Sequence, residues 1–307
     1  MEMAGVVGMQ VVVMFLLMLV GFVCSKKGIL TDEGGAQMNK LLLMVVTPTI
    51  LIDAYRMPYD AQTWQSIKSG VLLAVIAHAV ALALACLFVR GKDERRKIDR
   101  FATMLSNSAF MGIPLISAVL GAEGVVYASA YIAVFTVFQW SVGVVLLSGK
   151  ADVRTMTRKV LFNPGMFGLA VGLCIFLLSI PLPKPVGDAV GYLSALNTPL
   201  AMIVIGTYIA KADFSTLLRD KNLYRVAFLR LFAVGLIMLP VYRLLGTPEM
   251  VSAANFLACC CPVAASTAMF CAMFDLDKGY ASGLVTVSTV LSVLTIPLMV
   301  LLRSWLA

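Results

Sequence analysis

The chain has 307 residues, of which 61% are hydrophobic and 13% charged, with a mean hydropathy of +0.95; soluble domains carry roughly 25% charged residues, so a water-soluble fold is excluded. A formal net charge of +8 would direct a soluble protein towards nucleic acid. In a chain this apolar it marks lysines and arginines that keep loops on the cytoplasmic side of a membrane, and no nucleic-acid partner is expected.

Apolar stretches of about 20 residues, enough to cross a ~30 Å hydrocarbon core as helix, recur at roughly 5–24, 38–55, 69–90, 101–120, 125–147, 160–180, 186–209, 222–244, 251–273 and 280–304. Barrel strands would alternate in polarity, and these runs do not. The predicted fold class is an all-α integral membrane protein of ten transmembrane helices.

The first span follows Met-Glu-Met-Ala instead of the positive start of a signal peptide, so it is expected to be a retained helix with its N-terminus outside. The second carries Thr47-Pro48, and the third holds His78, the single histidine. The fourth contains Asn107-Ser108-Ala109-Phe110-Met111-Gly112-Ile113-Pro114. Proline removes a backbone donor and clashes with the preceding turn, and the glycine before it favours unwinding, so this span should be broken. The fifth opens on Tyr127-Ala128-Ser129, and a short cytoplasmic linker, 149–159, follows. Gly168 and Gly172 give the sixth span a close-packing face, which suits internal packing as well as dimerisation. The seventh carries Thr198-Pro199. Arg230 lies eight residues into the eighth span, about 12 Å deep at helical rise. The ninth reads Cys259-Cys260-Cys261-Pro262-Val263-Ala264-Ala265-Ser266-Thr267, a second candidate break, and the tenth opens on Tyr280-Ala281-Ser282.

These landmarks repeat. Thr47-Pro48 and Thr198-Pro199 are 151 residues apart, Tyr127 and Tyr280 153, Pro114 and Pro262 148, and His78 and Arg230 152. With five spans in each half, the second half enters the membrane from the opposite side, an inverted repeat with broken helices 4 and 9 crossing near the midplane. The halves are 1–148 and 160–307. With the N-terminus outside, 18 lysines and arginines fall on the inner side and 5 on the outer, which places both termini outside in a cell (cytoplasmic or inner) membrane.

Backbone groups freed at the two breaks cannot face lipid, and two half-helix N-termini meeting there suit an anion. Intramembrane ionisable groups raise a functional reading by default: Arg230 could supply charge to a carboxylate or cap carbonyls of a broken helix, and His78 could titrate or simply hydrogen-bond inside the bundle. Asp53 is the only acid well inside a span, which weakens sodium coupling and leaves proton coupling or potential-driven anion movement open. The seven cysteines show no metal-ligand spacing, so no metal or cofactor is expected.

The Asn107 to Pro114 string followed by Leu115, and Cys261-Pro262 with the residues after it, resemble the crossover segments of the auxin efflux carrier family. That family includes the plant PIN auxin exporters and bacterial malonate- and malate-type carriers. The resemblance covers the whole chain, with the short central loop of bacterial members and Thr267 where the plant pattern has a second proline. It implies a homodimeric elevator-type carrier with spans 1, 2, 6 and 7 as scaffold and spans 3–5 and 8–10 as transport domain. It also implies a substrate site at the crossover: Asn107 contacts the substrate carboxylate, with Ser108, Gly112, Pro114, Cys261, Pro262, Ser266 and Thr267 around it, and Thr47 before Pro48 facing it from the scaffold. The expected function is carriage of a small organic carboxylate, malonate- or malate-like first and aromatic such as indole-3-acetate second. An intramembrane enzyme would need paired acids or a nucleophile with a base, and a channel would need a continuous pore.

Overall fold

The computed structural model describes residues 2–150, 152–212, 217 and 219–306, with Glu2 described by its backbone alone; Ala151, in the expected linker, lies outside them. The fold is all-α. In chain order the helices are α1 (Glu2–Lys26), α2 (Asp32–Leu41), α3 (Thr47–Ala54), α4 (Ala61–Phe88), α5 (Glu94–Met104), α6 (Ile113–Phe138), α7 (Val144–Ser148), α8 (Val153–Leu161) and α9 (Pro164–Leu177). They continue with α10 (Lys184–Ala195), α11 (Asn197–Ala210), α12 (Lys221–Phe228), α13 (Val234–Leu244), α14 (Glu249–Cys259), α15 (Ser266–Met273) and α16 (Lys278–Leu306). Four π-helical turns, Leu42–Val46, Ser108–Gly112, Gln139–Gly143 and Leu229–Ala233, join α2 to α3, precede α6, join α6 to α7 and join α12 to α13.

Among the described residues, seven helical segments are long and apolar enough to cross a membrane, and an eighth if α8 and α9, bent by 53°, count as one. Physical reasons separate this number from ten apolar runs. Residues 251–273 are divided into α14 and α15, each too short to span alone. Residues 108–148 form one run of 41, about twice what a hydrocarbon core needs. Inside it Gly121 adopts φ 69° and ψ −163°, a backbone region open essentially to glycine.

Side chains packed between helices are buried, while Met9, Leu16, Leu19, Leu294 and Leu298 point outward, the pattern of a protein solvated by lipid. Glycines set the closest helix approaches. A Cβ on Gly21 would overlap the Ile203 backbone, and one on Gly206 that of Met18, which brings α1 onto α11. Gly168 faces the Pro48 backbone and Gly172 the Leu51 carbonyl, so the small-residue face of α9 is used inside the chain, against α3. Elsewhere α6 packs on α4 and α14, and α16 on α12 and α15. Buried Asp99 accepts from Arg96 (2.9 Å) and from the Tyr280 hydroxyl (2.6 Å), tying α5 to α16.

Candidate functional site

Helix α5 stops at Met104 because Leu105 turns to extended geometry, φ −108° and ψ 122°. Helical structure resumes at Ser108, while α14 stops at Cys259 and α15 starts at Ser266. The two open stretches satisfy each other: Ser106 and Val263 form an antiparallel bridge, the Asn107 amide donates to the Pro262 carbonyl (2.7 Å) and the Ala264 amide to that of Leu105 (3.0 Å). Backbone polarity at this depth is thus absorbed without facing lipid. The first opening lies before Gly112 and Pro114, not at them. Pro114 falls in the first turn of α6, where a missing donor breaks no bond, and Gly112, ending the π turn, lets the first chain segment approach the second break, since a Cβ there would lie 3.3 Å from the Cys261 sulfur. Pro262 lies within its break and Pro48 in the first turn of α3.

Arg230, on the fourth π turn, is fully buried. Its Nη1 donates to the carbonyls of Thr103 (3.2 Å) and Met104 (3.3 Å), and its Nη2 to that of Cys259 (2.5 Å). One guanidinium therefore caps the C-terminal, negative ends of both interrupted helices. His78 is equally buried. Its Nδ1 lies 2.8 Å from the Ala74 carbonyl of its own helix, and its ring packs on Tyr131 at 4.6 Å and Phe138 at 5.0 Å.

Beside the breaks lies a cavity of about 230 Å³. Its polar wall is formed by Thr47, Ser106, Asn107, Thr136, Gln139, Asn163 and Ser266, and Phe110, Phe135 and Trp140 form part of its apolar wall. Among the described residues no carboxylate lines it. Asn107 Nδ2 and Thr47 Oγ1 are buried without a hydrogen-bond partner among the described residues, and Ser266 Oγ donates to Gln139 Oε1 at 3.4 Å. The resumed helices start at this cavity, and neither start carries a side-chain cap, leaving their positive ends open. A larger cavity, about 840 Å³, shares Ala265 and Met269 with it and opens among Arg95, Lys211 and Lys278.

Of the residues singled out from sequence, Thr47, Asn107 and Ser266 thus meet in one wall. Ser108 and Thr267 are buried, with hydroxyls that have no partner among the described residues. Pro48, Gly112, Pro114, Cys261 and Pro262 shape the backbone around the site. Arg230 and His78 are outside the cavity lining. Gln139, Asn163 and Trp140 join the lining without a motif in the sequence that points to them as site residues. Gln139 is the one amide side chain in its apolar run, and Asn163-Pro164 is a helix-start signature, realised as Asn163 Oδ1 accepting from the Gly165 amide (2.9 Å). Each π turn adjoins or carries a landmark of this region: Thr47, Asn107, Gln139 and Arg230, in keeping with π insertions at functional positions.

A multi-pass α-helical chain with interrupted helices meeting at a polar cavity has the construction of a membrane transporter, not of an enzyme. It belongs to the membrane transport protein family (Mem_trans), whose model matches residues 6–157 and 152–300. It is similar to an uncharacterized transporter of Methanothermobacter thermautotrophicus, 27% identical over 292 residues that cover 92% of this chain and 93% of the relative. A second such transporter, from Methanocaldococcus jannaschii, is 22% identical over 218 residues, 64% of this chain and 67% of the relative.

Proposed function

We propose that this chain is a secondary transporter of a small organic carboxylate, with malonate- or malate-like dicarboxylates first, working by an elevator-type alternating-access mechanism. The observation that carries the reading is the buried Asn107 Nδ2, which has no partner among the described residues, in a wall where those residues supply no carboxylate and two uncapped helix starts converge. That arrangement offers N–H donors and positive dipole ends to an anion, and Gln139, Ser266 and Thr47 can reach its remaining oxygens. The cavity is below the roughly 300–1,000 Å³ of drug-sized sites, which favours a small acid. Its aromatic side, Phe110, Phe135 and Trp140, supports the second reading, an aromatic monocarboxylate such as indole-3-acetate.

In this reading the ten apolar runs are ten crossings in a 5 + 5 inverted repeat, with both termini outside in the cell membrane and two chains forming a homodimer. Spans 1, 2, 6 and 7, which contain α1–α3 and α9–α11, are the scaffold; spans 3–5 and 8–10, which contain the breaks, move. The interface between the two groups supports sliding: among the described residues a single side-chain hydrogen bond joins them, Tyr55 to Ser129 at 2.6 Å.

The test is thermal stabilisation of the purified protein by a panel of carboxylates, repeated on Asn107→Ala, because a ligand that binds only the folded state raises its stability. A shift with malonate-like acids that the variant lacks is expected. No shift with any carboxylate, in protein shown to be folded, would remove the organic-anion reading. Counterflow in vesicles separates a carrier from a channel, since only a carrier accelerates exchange.

A further inference from the structure

Between α7 and α9 lies α8, Val153-Arg-Thr-Met-Thr-Arg-Lys-Val-Leu161. At 100° per residue Val153, Met156, Val160 and Leu161 share one arc, and Arg154, Arg158 and Lys159 the opposite one. No acid occurs in the helix. Asp152 immediately before it is engaged as the N-cap, accepting from the Thr155 amide at 3.3 Å, and these capping bonds hold its carboxyl below the usual range.

No residue of α8 is buried: Val153 is 72% exposed, Leu161 66% and the following Phe162 79%. Among the described residues Arg154, Arg158 and Lys159 make no ion pair, whereas Arg95, Arg96, Lys211 and Arg225 all do. On the apolar arc Met156 and Val160 are half-buried against the neighbouring turn and α9, while Val153 and Leu161 stay exposed. An amphipathic helix with exposed residues on both faces, tethered at each end to an apolar helix, sits at the membrane boundary. There its apolar arc meets the acyl chains and its basic arc the headgroups.

We propose that α8 is an anionic-phospholipid contact, lying in the headgroup layer with Arg154, Arg158 and Lys159 on lipid phosphates. The occupant is the inner leaflet's anionic surface, chosen by charge complementarity: three cations that form no ion pair among the described residues, on a helix that contains no acid. The contact also reaches the cavity. Lys159 Nζ stands 5.5 Å from the centre of the Trp140 ring, and Asn163, two residues beyond α8, caps α9; both Trp140 and Asn163 line the 230 Å³ cavity. Lipid that orders α8 therefore also orders one wall of the site.

The contact does not depend on the substrate reading, and its test needs no transport. The full chain is placed in nanodiscs of phosphatidylcholine alone or mixed with phosphatidylglycerol, and amide hydrogen exchange is followed for 153–162. The anionic bilayer is expected to slow exchange there by at least about fivefold, the factor that one lysine or arginine contributes at such a surface. The triple variant Arg154→Gln, Arg158→Gln, Lys159→Gln should lose that slowing while exchange in α4 and α16, remote from the cavity wall and a control for folding, is unchanged. Equal exchange in the two bilayers overturns the proposal, as does slowing that survives in the variant. Protection that rises with protein concentration instead of lipid charge would assign the face to a second copy of the chain, and likewise overturn it.

Discussion

The two breaks that meet at the cavity are built differently. The first opens over three residues, Leu105 to Asn107, and the second over six, Cys260 to Ala265. Asn107 ends the short break with a side-chain Nδ2 that has no partner among the described residues, while Pro262 in the longer one supplies the carbonyl that receives the Asn107 backbone. The ionisable residues at matching sequence offsets diverge further: His78 bonds back to its own helix, and Arg230 reaches across to three carbonyls on two others. The contrast teaches a division of labour, in which Arg230 holds the pair of breaks together and the first break presents the recognition group.

Replacing the clamp should have the largest effect. Arg230→Met leaves three buried carbonyls without their donor and is expected to destabilise the protein by at least about 3 kcal/mol, since hydrogen bonds to charged groups contribute roughly 1.5–3 kcal/mol each; thermal unfolding in detergent measures it. Arg230→His, which copies the first half's residue, should recover little of that loss because an imidazole cannot reach both helices at once. Recovery close to wild type would abolish the distinction drawn between the halves.

Asn107→Ala separates recognition from stability. It should weaken carboxylate binding at least tenfold, about 1.4 kcal/mol, with an unchanged unfolding temperature in the absence of ligand. A large fall in that temperature would give Asn107 a structural role instead. Tyr55→Phe removes one buried hydrogen bond between the proposed scaffold and moving domain. It should lower stability by about 0.6–1.7 kcal/mol, as for interhelical bonds in membranes, and speed substrate counterflow. His78→Gln should have the smallest effect, within about 0.6 kcal/mol and without effect on carboxylate binding; loss of binding would show that the imidazole does more than pack.

Much of this fold can be read from apolar run length, because a lipid solvent demands whole helices. The runs beginning at 5, 69 and 280 became α1, α4 and α16 with shifted ends. Legibility fails where the chain departs from a whole helix. Pro114 pointed to the right neighbourhood for the first break and misplaced it, since proline is tolerated at a helix start and the opening falls upstream. The second break was better located because Pro262 lies inside it. The four π turns left no signal, for an extra residue in a helix is stabilised by what its side chains meet and not by local propensity. That is why Gln139, positioned by such a turn, is silent in the sequence, while Asn107 and Thr47 stand out through the resemblance of their surrounding motifs to a known carrier family.

Arg230 has a further consequence, in electrical terms. Among the described residues no carboxylate pairs with it, so on the proposed mechanism an uncompensated elementary charge rides on the moving helices. A full crossing of a 100 mV field is worth about 2.3 kcal/mol per charge, scaled by the fraction of the field traversed. Loading a monoanion would cancel that charge and loading a dianion would reverse it. The resting voltage would then act as a selectivity filter that discriminates mono- from dianionic cargo without any additional contact.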